Sequence, residues 1–273
     1  NLLVPSKAKT VAPNSYLVEI KNKTVNVLRV DTDEAIPEIL LEEQLKSQRA
    51  FVLDEDENGI RVLATPIAKA CDIGLNVYKN QAGFVEITAE ERKYGKIDSF
   101  FASISKLFSG KVIVADSLQE YIVDVFGASK YKLAIAESCT GGLISKRITD
   151  VSGSSEVFEG GVVCYSNRFK ENVLGVSPET LKKYGAVSRE TAREMVKGVL
   201  SLTKADIAVA VTGIAGPSSD DTNKPVGLVY IAVSDGKSTI VKKLLNNFTG
   251  DVREQNRNIS ADTALEMIME AIR

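Results

Sequence analysis

Ala136-Glu137-Ser138-Cys139-Thr140-Gly141-Gly142 closes a strand predicted at Lys132–Ala136 and opens a helix that runs to about Val151. An apolar strand that passes through a glycine pair straight into a helix is the βα unit of an α/β domain. Working outward, the same alternation continues. Upstream are a short apolar strand at Lys111–Ala115 and a helix at Leu118–Phe126. Downstream come a strand at Val162–Tyr165 and a helix announced by Ser177-Pro178-Glu179. That triplet supplies an N-cap, a first-turn proline and an acid that suits the helix dipole. Ser188-Arg189-Glu190 opens a longer helix, and Ile207–Val211 reads as a buried strand. Val226–Val233 and Thr239–Leu245 follow as strands, and a helix from about Val252 ends the chain. This order predicts a layered α/β/α domain with a mixed sheet over residues 111–273.

Before Gly110 the pattern differs. Pro37 stands where a first helical turn tolerates it, and the apolar face behind it predicts a helix to about Gln48. Residues 50–54 and 60–64 read as two strands joined by the acidic turn Asp54–Gly59. Residues 74–79 and 83–88 read as a second pair across Asn80-Gln81-Ala82, and a helix spans about 97–109. Residues 26–110 are therefore expected to form a small α+β domain. Residues 1–25 fit neither unit, although Val18–Ile20 and Thr24–Val27 have the pattern of a hairpin. They read as the tail of a further domain.

Composition narrows the chemistry. The chain has 273 residues, a net charge of −2 and no histidine. The absent imidazole removes Ser-His-Asp and Cys-His catalysis and any histidine-ligated zinc. Cys71, Cys139 and Cys164 are widely spaced and odd in number, as expected for reduced thiols in a cytoplasmic protein. No metal site or cofactor is expected. No apolar run reaches the ~20 residues that span a bilayer. Neither half carries a basic excess, and residues 1–110 contain no Gly-x-x-Gly loop, so neither a membrane nor a nucleic acid is an expected partner.

Four places can carry chemistry. Ser138 follows a strand end, and the helix start behind it offers free N–H groups to an anion or a developing oxyanion. A plain strand-to-helix turn with a capping hydroxyl would look the same, and Cys139 is a rival nucleophile without an evident activator. Thr212-Gly213-Ile214-Ala215-Gly216-Pro217 also follows a strand, and the two turns share one crevice if their strands are neighbours. Gly153-Ser154-Ser155 and Tyr165-Ser166-Asn167 with Lys170 form the third. A partly buried lysine has a depressed pKa and can serve as base to a serine, whereas an exposed one only solvates the surface. Gly250-Asp251-Val252-Arg253, with Arg257 one turn on, suits a phosphate or merely an exposed ion pair.

Taken together, Ala136–Gly142, Gly153–Ser155, Tyr165–Asn167, Gly185–Ser188, Thr212–Pro217, Lys224–Gly227 and Gly250-Asp251 resemble the C-terminal domain of the CinA family. That domain stands alone as the PncC-type nicotinamide mononucleotide deamidase. The resemblance covers about residues 115–273. Residues 25–110 resemble the KH-type middle domain of the family more weakly, and residues 1–25 the end of its molybdopterin-binding-like domain. It implies hydrolysis of the carboxamide of nicotinamide mononucleotide to nicotinate mononucleotide and ammonia, an amidase activity in pyridine nucleotide recycling. Ser138 would be the nucleophile, with Lys170 and Tyr165 handling protons. Thr140, Gly141, Gly142, Ser155, Asn167, Thr212 and Gly213 would line the substrate site, and Arg253 would meet its phosphate. The family pattern is Gly-Asp-Arg; here Val252 intervenes, which makes Arg257 the second candidate. A homodimer, with the small domain as spacer or contact, is the expected assembly. The rival reading is a non-catalytic nucleotide-binding or competence-related interaction protein. In either case, a nucleotide (ADP-ribose) pyrophosphatase is what the family implies for a full N-terminal domain.

Overall fold

The computed structural model describes residues 9–12, 15–20, 23–29, 46–53, 55–79, 85–219 and 223–272. The helix expected from Pro37 and the turn expected at 80–82 lie outside them. Near the N-terminus β1 (Lys9–Ala12), β2 (Ser15–Ile20) and β3 (Lys23–Leu28) form an antiparallel sheet, and Ile20 pairs with Lys23 as the hairpin pattern predicts.

The small unit holds β4 (Ser47–Val52), α1 (Glu57–Ala70), β5 (Ile73–Lys79), β6 (Val85–Glu91), α2 (Ile97–Leu107) and β7 (Val112–Val114). Its sheet runs β5-β6-β4-β7 with every pairing antiparallel. Two expectations need correction. Residues 60–64 are not a strand but the heart of α1. The Asp56 carboxylate accepts the Gly59 N–H at 2.8 Å, so the acidic run caps a helix instead of turning a hairpin. Ile60, Ala64 and Ala68 then fall on one buried face at four-residue spacing. Lys111–Ala115, expected to start the C-terminal sheet, pairs instead with β4, where Ala50 meets Val114. The sheet buries both faces. Ala50 and Val52 pack with Ile60, Ala64, Phe100 and Ile104, while Phe51, Leu53 and Ile113 join the core of the larger unit.

That unit contains α3 (Leu118–Ser129), β8 (Leu133–Glu137), α4 (Leu143–Thr149), a 3-10 turn at Ser154–Glu156 and β9 (Phe158–Val163). Then come α5 (Asn167–Leu174), α6 (Pro178–Tyr184), α7 (Arg189–Thr203), β10 (Ile207–Gly213), β11 (Leu228–Ser234), β12 (Thr239–Leu245) and α8 (Val252–Ala271). The sheet order is β12-β11-β10-β8-β9; β8 is parallel to both neighbours, whereas β11 and β12 are antiparallel. It is a mixed α/β fold. One face packs on α3, α4 and α8 through Ile122, Phe126, Ile144, Ile148, Ala264 and Ile268. The other packs on α5, α6 and α7 through Leu174, Leu181, Met195 and Val199. A fully buried phenylalanine such as Phe126 contributes ~2–3 kcal/mol of transfer free energy. Ser177 and Ser188 cap α6 and α7 as their sequence context predicts.

Packing also sets the stance of α5. A Cβ on Gly198 of α7 would lie 2.0 Å from the Leu174 carbonyl oxygen, so only glycine lets α5 approach this closely. Glu266 of α8 carries a cost of its own. Its side chain is 2% exposed and its Oε1 has no hydrogen-bond partner among the described residues. Burial pushes its pKa up to about 8; Lys242 at 3.9 Å opposes this, while Asp262, Glu270 and Glu86 add to it. The folded state thus holds a proton that the unfolded state releases near its ordinary value of 4.5. Stability therefore falls as pH rises from that value to about 8 and levels off above it. Glu266→Gln should leave the free energy of urea unfolding little changed at acidic pH and raise it at alkaline pH, by at most about 5 kcal/mol. An equal shift at both ends would contradict this titration.

Candidate active site

β8 and β10 are neighbours in parallel register, with Ala136 beside Ala210 and Glu137 beside Val211. Their carboxyl ends therefore bring Ser138 and Thr212 to one crevice, as the rule for open α/β sheets predicts. A cavity of about 260 Å³ opens there. Ser138, Cys139, Tyr165, Lys170, Thr212, Gly213 and Arg253 all line it.

The turn after Ser138 needs glycine, since Gly141 and Gly142 have φ of +60° and +92°. The helix start it creates is not an open anion site, contrary to expectation. Glu137, fully buried, accepts the N–H groups of Gly142, Ile144 and Ser145 at 2.8–3.1 Å and the Ser145 hydroxyl at 2.7 Å. The protein's own carboxylate neutralises the α4 dipole and pins the turn that presents Ser138. Thr140 is buried behind that turn, and its carbonyl accepts two hydrogen bonds from Arg257, at 3.2 and 2.9 Å. Arg257 thus braces the Ser138 turn.

Lys170 is the decisive side chain. It projects from α5 and is 1% exposed. Its Nζ lies 3.0 Å from Ser138 Oγ, 2.8 Å from the Cys164 carbonyl oxygen and 2.9 Å from that of Tyr165. Among the described residues no carboxylate pairs with it, and desolvation holds its pKa below the ordinary 10.5. The lowered pKa makes the neutral amine more accessible, and that form suits the three contacts. Two N–H groups serve the two carbonyls, and the lone pair is left for the serine hydroxyl. Cys139 is 5% exposed, and burial pushes its thiol up to about 12, so it offers no thiolate at neutral pH. Cys164 is likewise pushed up to about 11 by burial.

The remaining candidates separate. Tyr165 touches Lys170 through its backbone; the residue is 60% exposed, and its hydroxyl accepts from Arg253 Nη2 at 3.0 Å. Arg253 also donates to the Gly216 carbonyl at 2.8 Å, so this guanidinium stands at the cavity mouth. Thr212 donates to the Ala186 carbonyl at 2.8 Å, which ties the β10 turn to the opposite wall. Asn167, at the start of α5, is exposed and does not line the cavity. Ser155 precedes β9, whose Phe158 pairs with Leu133; it sits at the far end of the sheet, about 16 Å of strand away. Glu137 and Lys224 escaped the sequence reading, and Arg257, expected as a second phosphate candidate, has a different place. Glu137 and Arg257 shape the nucleophile turn, and Lys224 donates to the Tyr184 and Val187 carbonyls at 2.6 and 2.7 Å, closing the wall beyond Thr212. A lone acid in an otherwise apolar strand was the available signal for Glu137.

The family profile of the CinA C-terminal domain matches residues 115–272, the unit that carries this cavity. The chain belongs to the CinA family. A competence-damage inducible protein of Caldanaerobacter subterraneus is 35% identical over 97% of the chain and 67% of its own length. The CinA-like protein of Thermotoga maritima is 46% identical over 58% of the chain and 38% of its own length. The chain thus spans well under the full length of several CinA relatives it matches. Among solved structures, the competence/damage inducible protein CihA of Agrobacterium tumefaciens is 41% identical, with a TM-score of 0.54 over 57% of this chain and 94% of that one. A CinA superfamily protein of Klebsiella pneumoniae is 32% identical, with a TM-score of 0.54 over a similar share. No helix among the described residues of this CinA chain is long and apolar enough to cross a membrane.

Proposed function

We propose that this CinA-family chain is a nicotinamide-nucleotide amidase that hydrolyses the carboxamide of nicotinamide mononucleotide to nicotinate mononucleotide and ammonia. The observation that carries the reading is the buried Lys170–Ser138 pair. A serine hydroxyl is a poor nucleophile until a base removes its proton. Without histidine, that base must be another group, and Lys170 is poised for it. Ser138 Oγ attacks the carboxamide carbon as its proton passes to Lys170 Nζ. The resulting lysinium then donates that proton to the leaving nitrogen, the C–N bond breaks and ammonia departs. A water molecule, deprotonated by the same amine, cleaves the ester, and the proton returns to Ser138. The cycle needs no redox partner, and the lysine ends it neutral.

The Cys164 and Tyr165 carbonyls help at each proton transfer, because they stabilise the lysinium they already contact. Arg253 at the cavity mouth is the proposed phosphate ligand, since a guanidinium fork binds a phosphate at two points. Arg257 is set aside for this role because it braces the Thr140 carbonyl and, unlike Arg253, does not line the cavity. Arg253→Ala should raise KM for nicotinamide mononucleotide roughly thirty- to a hundred-and-fifty-fold, the loss of one charge-assisted contact of ~2–3 kcal/mol. The riboside, which lacks the phosphate, should be affected far less. Steady-state ammonia release from both substrates measures this; equal losses on both would remove Arg253 from the phosphate.

A further inference from the structure

A second cavity, of about 680 Å³, lies away from the Ser138 site, between α7 and the turn joining β11 to β12. We propose that it is a binding site for an oligophosphate, a ligand carrying two or more linked phosphate groups. Four cations line it: Arg193, Lys197 and Lys204 from α7 and its C-cap, and Lys237 from the turn. The first three recur at four- and seven-residue intervals, which places them along one side of the helix. Lys237 comes from a different element and lines the same cavity.

No carboxylate lines the cavity, and none of these four cations has an ion-pair partner among the described residues. The nearby acid of the turn, Asp235, is already committed to the N–H groups of Lys237 and Ser238 and to the Ser238 hydroxyl. Four like charges around one hollow repel each other, and an anion relieves that repulsion. A helix C-terminus alone favours one or two cations, but it does not explain Lys237, which comes from the β11–β12 turn. Ser201 adds a hydroxyl to the lining, whereas those of Thr239 and Ser234 are spent on Ser234 and on the Ser238 carbonyl, so the cations carry the recognition. No aromatic side chain lines the cavity, so nothing there would stack a base. Recognition would rest on the phosphates, and the volume suits a small molecule.

The test is isothermal titration of the full chain with inorganic tripolyphosphate at low ionic strength. Binding at one site per chain is expected, weakened about tenfold or more by Lys197→Glu or by Lys237→Glu, and weakened again by added salt. These exposed positions lie on separate elements, so loss in both variants with unchanged melting points excludes a folding defect. ATP binding as tightly as tripolyphosphate supports recognition through phosphates alone. Retained affinity in both charge reversals, or loss in Arg253→Ala instead, would overturn the proposal. So would binding of a single-stranded oligonucleotide with none of tripolyphosphate. None of these readouts depends on amidase activity.

Discussion

Ser138→Ala should reduce ammonia release from nicotinamide mononucleotide by roughly 10⁴-fold or more, while leaving the fold intact. Removing a covalent nucleophile eliminates the reaction path itself, and effects of this size follow when a catalytic unit is broken. The fold should survive because the Ser138 backbone N–H, not its hydroxyl, holds the strand end, by donating to the Val211 carbonyl at 2.9 Å. Among the described residues the hydroxyl bonds to Lys170 Nζ alone. Cys139→Ala is the control, and it should keep activity within a few-fold, because burial keeps that thiol protonated. An inactive Cys139→Ala beside an active Ser138→Ala would transfer the nucleophile to the cysteine.

Lys170→Arg should be nearly as damaging, by about 10²- to 10⁴-fold in kcat, the range of a lost general base. Arginine keeps the charge but cannot give up a proton at working pH. The wild-type pH profile should carry the same signature. Desolvation lowers the Lys170 pKa, so the neutral base accumulates as pH rises through that lowered value. Activity should thus climb with pH and reach its plateau below the ordinary lysine range. Lys170→Ala, which leaves room beside Ser138, should be partly rescued by small primary amines. A flat profile, or a Lys170→Ala enzyme that changes only KM, would make the lysine a binding residue.

Much of this was legible in the chain, for local reasons. Ser138 and Thr212 were readable as crevice candidates because strand ends followed by small residues mark the crevice of an α/β sheet, whereas Lys170 stood out only through the family resemblance. Whether β8 and β10 were neighbours was not readable, since strand order arises from long-range pairing. The strand misread at residues 60–64 shows how short apolar runs mislead. Ile60, Val62 and Ala64 also alternate, and only the Asp56 cap and the spacing to Ala68 reveal the helix. Lys111–Ala115 was assigned to the wrong sheet because the chain places a strand of the small unit directly before α3. The expected anion site at α4 failed for an instructive reason: a carboxylate one residue before the nucleophile already occupies it. The resemblance gave Tyr165 a share in proton handling; in the structure its hydroxyl meets Arg253 and its carbonyl meets Lys170, contacts that no sequence pattern announces.

The most direct test is a product analysis of the purified chain incubated with nicotinamide mononucleotide. Nicotinate mononucleotide and ammonia should form in equal amounts, in proportion to enzyme, and neither should form with Ser138→Ala. Release of free nicotinamide, or the absence of both predicted products from the folded wild-type chain, would contradict the amidase reading.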